Sequence, residues 1–281
     1  MGTISLGRSA PQHAFLWNSA QSVSISRKRL FRIAPAVILL CIGMAHAKVT
    51  LDSVTSASGD LTQAANTLTF SHTTTGTNLV LVVGVSLNIS GRNTTTVNSV
   101  TYGGVGLQQA GAAITNSNRL SQIFYLVAPA TGTNNVVVTL SIGGGGTIGT
   151  VAGATTFAGA DQSTPIRTYV TNSGNSANAF VNVASSLNDM VMDTLSLFSG
   201  TTAATSSTAQ VQQWALSSGA SGSDVYGFGS TRQGSASVPM SENLSALSFR
   251  SSAEKNLFER MVEAAEKAGT AATPEVVHRM G

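Results

Sequence analysis

The middle of the chain, residues 48–250, alternates short apolar runs with clusters of Gly, Asn, Ser and Thr. Residues 79–87 form a nearly continuous run of Val and Leu, which predicts a central strand that is covered on both faces. Residues 136–140 and 190–195 have the same character, so we expect them to form buried strands as well.

Other segments of the same region alternate apolar and polar residues. Residues 121–127 and 180–183 follow this period of two, which predicts strands with one side facing solvent. Turn-forming clusters recur about every dozen residues along this region. Their spacing favours an all-β fold, an antiparallel β-sandwich of the jelly-roll type, over alternating helices and strands.

The N-terminal segment has the pattern of an export signal. A basic stretch, residues 26–32, precedes an apolar run of about a dozen residues, the arrangement of a signal peptide. We therefore predict a polar N-terminal extension over residues 1–25, without fold signal, and a signal peptide over residues 26–47. The alternative is an uncleaved anchor, for which the apolar run is short. Cleavage predicts a secreted protein, extracellular or periplasmic, without further membrane contact.

The C-terminal segment, residues 251–281, changes to a helical pattern. Ser251 and Glu254 have the spacing of a capping box, and apolar residues then recur at helical intervals. This pattern predicts one amphipathic α-helix that ends near Gly269 and either docks on the sandwich, self-associates or stays solvated.

Charge and cysteine content narrow the classes of function. Only 10% of the residues are charged, and the part after residue 47 holds ten basic against twelve acidic residues, a net charge of −2. Its basic residues are scattered, so we expect no nucleic-acid partner. The single cysteine, Cys41, lies in the predicted signal peptide, which excludes thiol chemistry from the mature chain.

Three segments together carry a resemblance to a known class of domain: residues 100–104 (VTYGG), 125–134 (YLVAPATGTN) and 159–166 (GADQSTPI). The chain over residues 49–249 resembles lectin-like jelly-roll domains, similar in architecture to concanavalin-type and laminin-G-type domains, that recur in secreted bacterial proteins. The resemblance implies a jelly roll, but it supplies no catalytic or ligand residues, and fold likeness alone does not define a function.

Residues suited to catalysis are sparse. Asp189 and Asp193, the nearest carboxylate pair, would be about 13 Å apart on one strand, which is too far for a glycosidase. We interpret them instead as a turn residue before a strand and as an edge or solvent residue. His72 is the single histidine of the β region, and no nucleophile elbow accompanies it.

A copper site is the remaining catalytic alternative. Cleavage after Ala45 would make His46 the N-terminus, and with His72 it would resemble the copper brace of lytic polysaccharide monooxygenases. Cleavage after Ala47 would remove His46. We interpret His72 as a histidine at a strand end or in a loop.

Asp161 is the candidate ligand for a metal. The segment 161–164 and the segment 116–118 offer oxygen ligands for calcium, although a plain Asx-turn explains both. No other cofactor is expected.

Four residues are candidates for glycan binding, which requires an aromatic platform and polar hydrogen-bonding groups. They are Trp214, Tyr125, Arg119 and Gln212. Trp214 could equally lie in the core. We expect a secreted, non-enzymatic module that binds a glycan or another surface polymer. A structural or adhesive protein that self-associates, and a polysaccharide-active lyase or copper oxygenase, are the alternatives.

Overall fold

The computed structural model describes residues 48–175, 180–198, 204, 206–219, 223–235, 237–241 and 244–251. The predicted N-terminal extension, the signal peptide and the helix beyond Ser251 lie outside the described residues. All secondary structure in the described residues is β-strand, and every strand pair is antiparallel, which confirms the all-β prediction. No helix that could cross a membrane occurs within this part of the chain.

The first part of the β region forms ten strands. They are β1 (Thr50–Leu61), β2 (Thr67–Thr74), β3 (Val80–Asn88), β4 (Thr96–Tyr102), β5 (Val105–Gly106), β6 (Gln108–Gln109), β7 (Ile114–Asn116), β8 (Arg119–Val127), β9 (Gly132–Ser141) and β10 (Ile148–Ala158). Their pairing is nested: β1 pairs with β10, β2 with β9, β3 with β8 and β4 with β5. The segment therefore folds back on itself as one long antiparallel hairpin.

The second part forms seven strands in the residues that the structure describes. They are β11 (Ile166–Asn172), β12 (Phe180–Ala184), β13 (Met190–Leu197), β14 (Val211–Ser218), β15 (Val225–Gln233), β16 (Ser237–Ser241) and β17 (Leu244–Phe249). The pairing is again nested, because β11 pairs with β17, β12 with β16 and β13 with β15, while β14 is added beside β15.

The strands form four sheets, which we number in stacking order. Sheet I has the order β2-β9-β4-β5, and sheet II has the order β1-β10-β3-β8-β6 with β7 beside β8. Sheet III has the order β11-β17-β13-β15-β14, and sheet IV consists of β12 and β16.

A separate apolar core fills each of the three spaces between neighbouring sheets. Leu81, Val83 and Phe124 of sheet II pack against sheet I, whereas Val80 and Val82 point to the other face, toward sheet III. The predicted sandwich is thus extended from two layers to four. The reason is that the central strands are apolar on both faces, so each face needs a covering sheet.

Burial confirms some strand predictions and corrects others. All residues of β3 are buried, as its continuous apolar run predicts, and β12 alternates between exposed and covered positions, as predicted. The solvent-facing side predicted for residues 121–127 is wrong, because Arg119 to Phe124 are buried. Residues 136–140 instead alternate, since β9 belongs to the outer sheet I.

Sheets II and III approach closely because glycines leave room for a large side chain between them. A Cβ atom at Gly153 would lie 2.2 Å from the Trp214 ring, and one at Gly229 would lie 2.1 Å from it. Serine hydroxyls also join the two sheets, since Ser86 Oγ donates to the Leu195 carbonyl at 2.8 Å and Ser121 Oγ to the Thr194 carbonyl at 3.2 Å.

Candidate ligand-binding cleft

A cleft opens where the space between sheets II and III reaches the surface. The space is about 290 Å³ when the open solvent at its mouth is counted, and the enclosed part has room for about one water molecule, so a larger ligand would lie mainly at the mouth. The start of β8 and the short strand β7 form one side, and the ends of β11 and β13 form the other. The lining residues are Ile114, Asn116, Arg119, Ser121, Asn172, Ser173, Ser196 and Phe198.

Arg119, the first residue of β8, is held in place by backbone carbonyls. Its Nε donates to the Leu197 carbonyl at 2.8 Å, its Nη1 to the Asn118 carbonyl at 3.1 Å and its Nη2 to the Asp224 carbonyl at 3.2 Å. Only 6% of the residue is exposed. Burial lowers the pKa of the guanidinium, and the nearby charge of Asp224 acts in the opposite direction.

An aromatic ring lies at the mouth of the cleft. Phe198, directly after β13, is 47% exposed, and the guanidinium carbon of Arg119 lies 4.8 Å from its ring centre. At this distance the cation and the ring attract each other. Phe180 is 63% exposed, and its carbonyl accepts a hydrogen bond from the Asn172 side chain at 2.6 Å.

Side-chain amides provide polar groups beside the ring of Phe198. Asn116 Nδ2 donates to the Gly174 carbonyl at 3.0 Å, which joins β7 to the segment after β11. Asn172 Oδ1 accepts from the Ser173 backbone N–H at 2.9 Å. The amides therefore have fixed orientations, and the cleft combines a ring face, amide groups and a cation.

Of the four predicted glycan-binding residues, the structure places Arg119 in this cleft. Trp214 is 4% exposed and lies in the core between sheets II and III, which is the alternative position that the sequence allowed. Gln212 is exposed on β14, beside a bulge in its pairing with β15. Tyr125 is half-buried, six residues along β8 from Arg119, so the two are about 20 Å apart.

Asp161 forms an Asx-turn. Its Oδ1 accepts hydrogen bonds from the backbone N–H groups of Ser163 at 2.7 Å and Thr164 at 2.8 Å. The described residues contain no cluster of three or more His, Cys, Asp or Glu side chains that could hold a metal ion. Calcium binding by Asp161 remains a prediction.

The two aspartates of β13 and its preceding turn belong to separate buried networks. Asp189 pairs with Arg167, whose Nε lies 2.6 Å from the carboxylate. The interpretation of Asp193 as an edge or solvent residue is wrong, because its exposure is 0%. It accepts hydrogen bonds from the Ser230 N–H at 2.6 Å, the Ser230 hydroxyl at 2.8 Å and Gln210 Nε2 at 3.1 Å.

His72 lies within β2 and is buried, so its interpretation as a strand-end or loop residue is wrong. Its Nδ1 lies 2.8 Å from the Thr55 hydroxyl, and its Nε2 lies 2.7 Å from the Thr156 hydroxyl. Burial lowers its pKa to about 4, although Asp52 opposes the effect. A neutral ring with both nitrogens at hydroxyl groups indicates a structural role.

Sequence reasoning missed Phe198 and Asn172, and it considered Asn116 for calcium alone. These residues share one feature, which is that each stands at or just beyond the end of a strand. The sequence pattern indicates where these strands end, but it does not show that the ends of β7, β11 and β13 lie next to one another.

Comparison with known proteins yields no match: no protein-family model, curated protein or solved structure is significantly similar to the chain. Function must therefore be argued from the cleft itself.

Proposed function

We propose that the protein is a secreted, non-enzymatic module that binds an extracellular glycan or a related surface polymer in the cleft around Phe198. The nested strand pairing supports a jelly-roll fold for β1–β10, the architecture that the lectin-like resemblance implies. The basic and apolar segment over residues 26–47 supports export.

The exposed ring of Phe198 beside fixed amides is the observation that carries this proposal. Sugar C–H faces pack on aromatic rings, and sugar hydroxyls need polar partners that are already oriented. Phe198 provides such a ring, and Asn116 and Asn172 line the same cleft.

Replacement of the ring tests the proposal. We expect Phe198→Ala to lower glycan affinity about tenfold or more, because the variant loses ring stacking on the sugar and the ring that covers Arg119. The measurement is a glycan array, with and without calcium, followed by isothermal titration of the strongest ligand.

Leu187→Ala is the matched control. Leu187 is 75% exposed and precedes the start of β13, whereas Phe198 follows its end. An equal loss of affinity in both variants, or no binding to any glycan by the wild-type protein, contradicts the proposal. The two calcium conditions also test the calcium prediction for Asp161.

Self-association in a structural or adhesive role is a second candidate. It is favoured by β14, the last strand of sheet III in the described residues, where Val211 is 61% exposed. An open apolar edge strand can pair with another chain. Sedimentation velocity of the wild type and of Val211→Lys tests it, and a concentration-independent monomer rejects it.

A further inference from the structure

We infer that the glycan bound in the cleft is acidic, and that its carboxylate is recognised by Arg119. This inference rests on the proposed function and adds the chemical class of the ligand. Among the described residues that line the cleft, Arg119 is the one with a charged side chain. A ligand that reaches the cleft therefore meets a positive charge at its inner wall.

Arg119 forms no direct ion pair with a carboxylate in the described part of the chain, and the charge of Asp224 acts on it only from a greater distance. Arg167 pairs with Asp189 in this part of the chain. In contrast, no carboxylate oxygen of the described residues lies within 4.0 Å of a guanidinium nitrogen of Arg119. A buried cation without a direct ion pair is unfavourable, because the carbonyl dipoles and the more distant charge of Asp224 compensate its desolvation only in part. A bound carboxylate would supply the compensation.

The guanidinium also retains donors for a ligand. Three of its N–H groups donate to the carbonyls of Leu197, Asn118 and Asp224. A guanidinium has five N–H groups, so two remain without an acceptor among the described residues. A planar guanidinium whose orientation is fixed is suited to a carboxylate, since their hydrogen bonds are short and directional.

Phe198 strengthens this arrangement. Its ring lies over the guanidinium and excludes water from that side, and electrostatic attraction grows when water is excluded. One exposed ring next to one buried cation thus fits a uronic acid, with the ring against the sugar and the cation at the carboxylate.

The test uses ligand pairs that differ in charge alone. A glycan array should carry uronic-acid oligosaccharides next to the same oligosaccharides with their carboxyl groups reduced to alcohols. Isothermal titration of the best pair at about 50 and 500 mM NaCl then measures the contribution of charge. We expect the acidic form to bind about tenfold or more tightly, with a preference that shrinks at high salt.

A protein variant locates that preference. Arg119→Lys keeps a positive charge but loses the planar fork, so we expect it to reduce the ratio of acidic to neutral affinity. Arg232→Lys, on β15 opposite the start of β13, is the matched control and should leave the ratio unchanged. Circular dichroism checks folding. If Arg119→Lys does not fold, the shift of the Arg119 side-chain N–H resonance of the wild-type protein with each member of the ligand pair locates the carboxylate instead.

The outcomes separate the two proposals. Equal binding of acidic and neutral forms, with loss of both in Phe198→Ala, overturns the inference and leaves the proposed function standing. An acidic preference that Arg119→Lys leaves intact also overturns it. No binding of any glycan contradicts the proposed function and the inference together.

Discussion

A carboxyl group lies inside a buried strand at Asp193. It has no exposed surface, and three donors from Ser230 and Gln210 surround its two oxygens. Burial nevertheless raises the pKa of Asp193 from 3.8 to about 7, since the hydrogen bonds only partly replace water. The segment 190–195 predicts a buried strand, but its pattern gives no sign that the charged position is buried too.

The raised pKa predicts how stability depends on pH. The folded protein binds the proton of Asp193 more tightly than the unfolded chain does. The contribution of this proton to the free energy of unfolding is therefore fully present below pH 3.8 and is lost as pH rises through about 7. Asp193→Asn cannot ionise, so the wild type should lose roughly 2–4 kcal/mol relative to this variant between pH 4 and 8.

Urea unfolding of both proteins at a series of pH values measures that difference. Parallel stability curves over the whole range would show that the pKa of Asp193 is the same in the folded and the unfolded protein, and the account of its burial would then be wrong.

At the scale of the elements, the close contact between sheets II and III depends on residues without side chains. Gly153 of β10 and Gly229 of β15 leave the space that the Trp214 ring occupies. The sequence has glycines inside apolar runs, and glycine inside a strand often indicates that another part of the protein packs closely against its backbone. The strand order determines which large side chain fills this space. The residues next to each glycine in the sequence do not predict it.

Gly153→Ala should therefore destabilise the protein by roughly 1–3 kcal/mol, because the added methyl group overlaps the indole ring. Gly106→Ala is the control, since a Cβ atom at Gly106 meets nothing within 4 Å. Urea unfolding followed by tryptophan fluorescence compares them. Equal stability of the two variants would mean that the sheets separate more easily than the packing implies.

At the scale of the whole molecule, two nested sets of strands stack into four sheets. The sequence predicts the all-β class and several strands, because burial on one or both faces leaves a periodic pattern. The sequence does not predict the number of layers. An apolar sheet face must be buried by another sheet, but its residues do not specify which strands form that sheet.

The cleft is a product of this stacking, which explains why the sequence identified only part of it. Asn116, Arg119, Asn172 and Phe198 come from β7, β8, β11 and the end of β13, and the packing of sheet II on sheet III brings them together. Arg119 was predictable as a polar contact residue. Trp214 was a natural candidate by residue type, but its position in β14 turns it toward the core.

The location of the bound glycan is the central claim, and backbone amide resonances report on it directly. A titration of isotope-labelled protein with the strongest array ligand should shift the amide signals of Asn116, Arg119, Ser173 and Phe198, which surround the cleft. Signals from β2 and β9, in the outer sheet I, should stay in place. Shifts confined to sheet I or to the β14 edge, or no shifts at saturating ligand, would contradict the account.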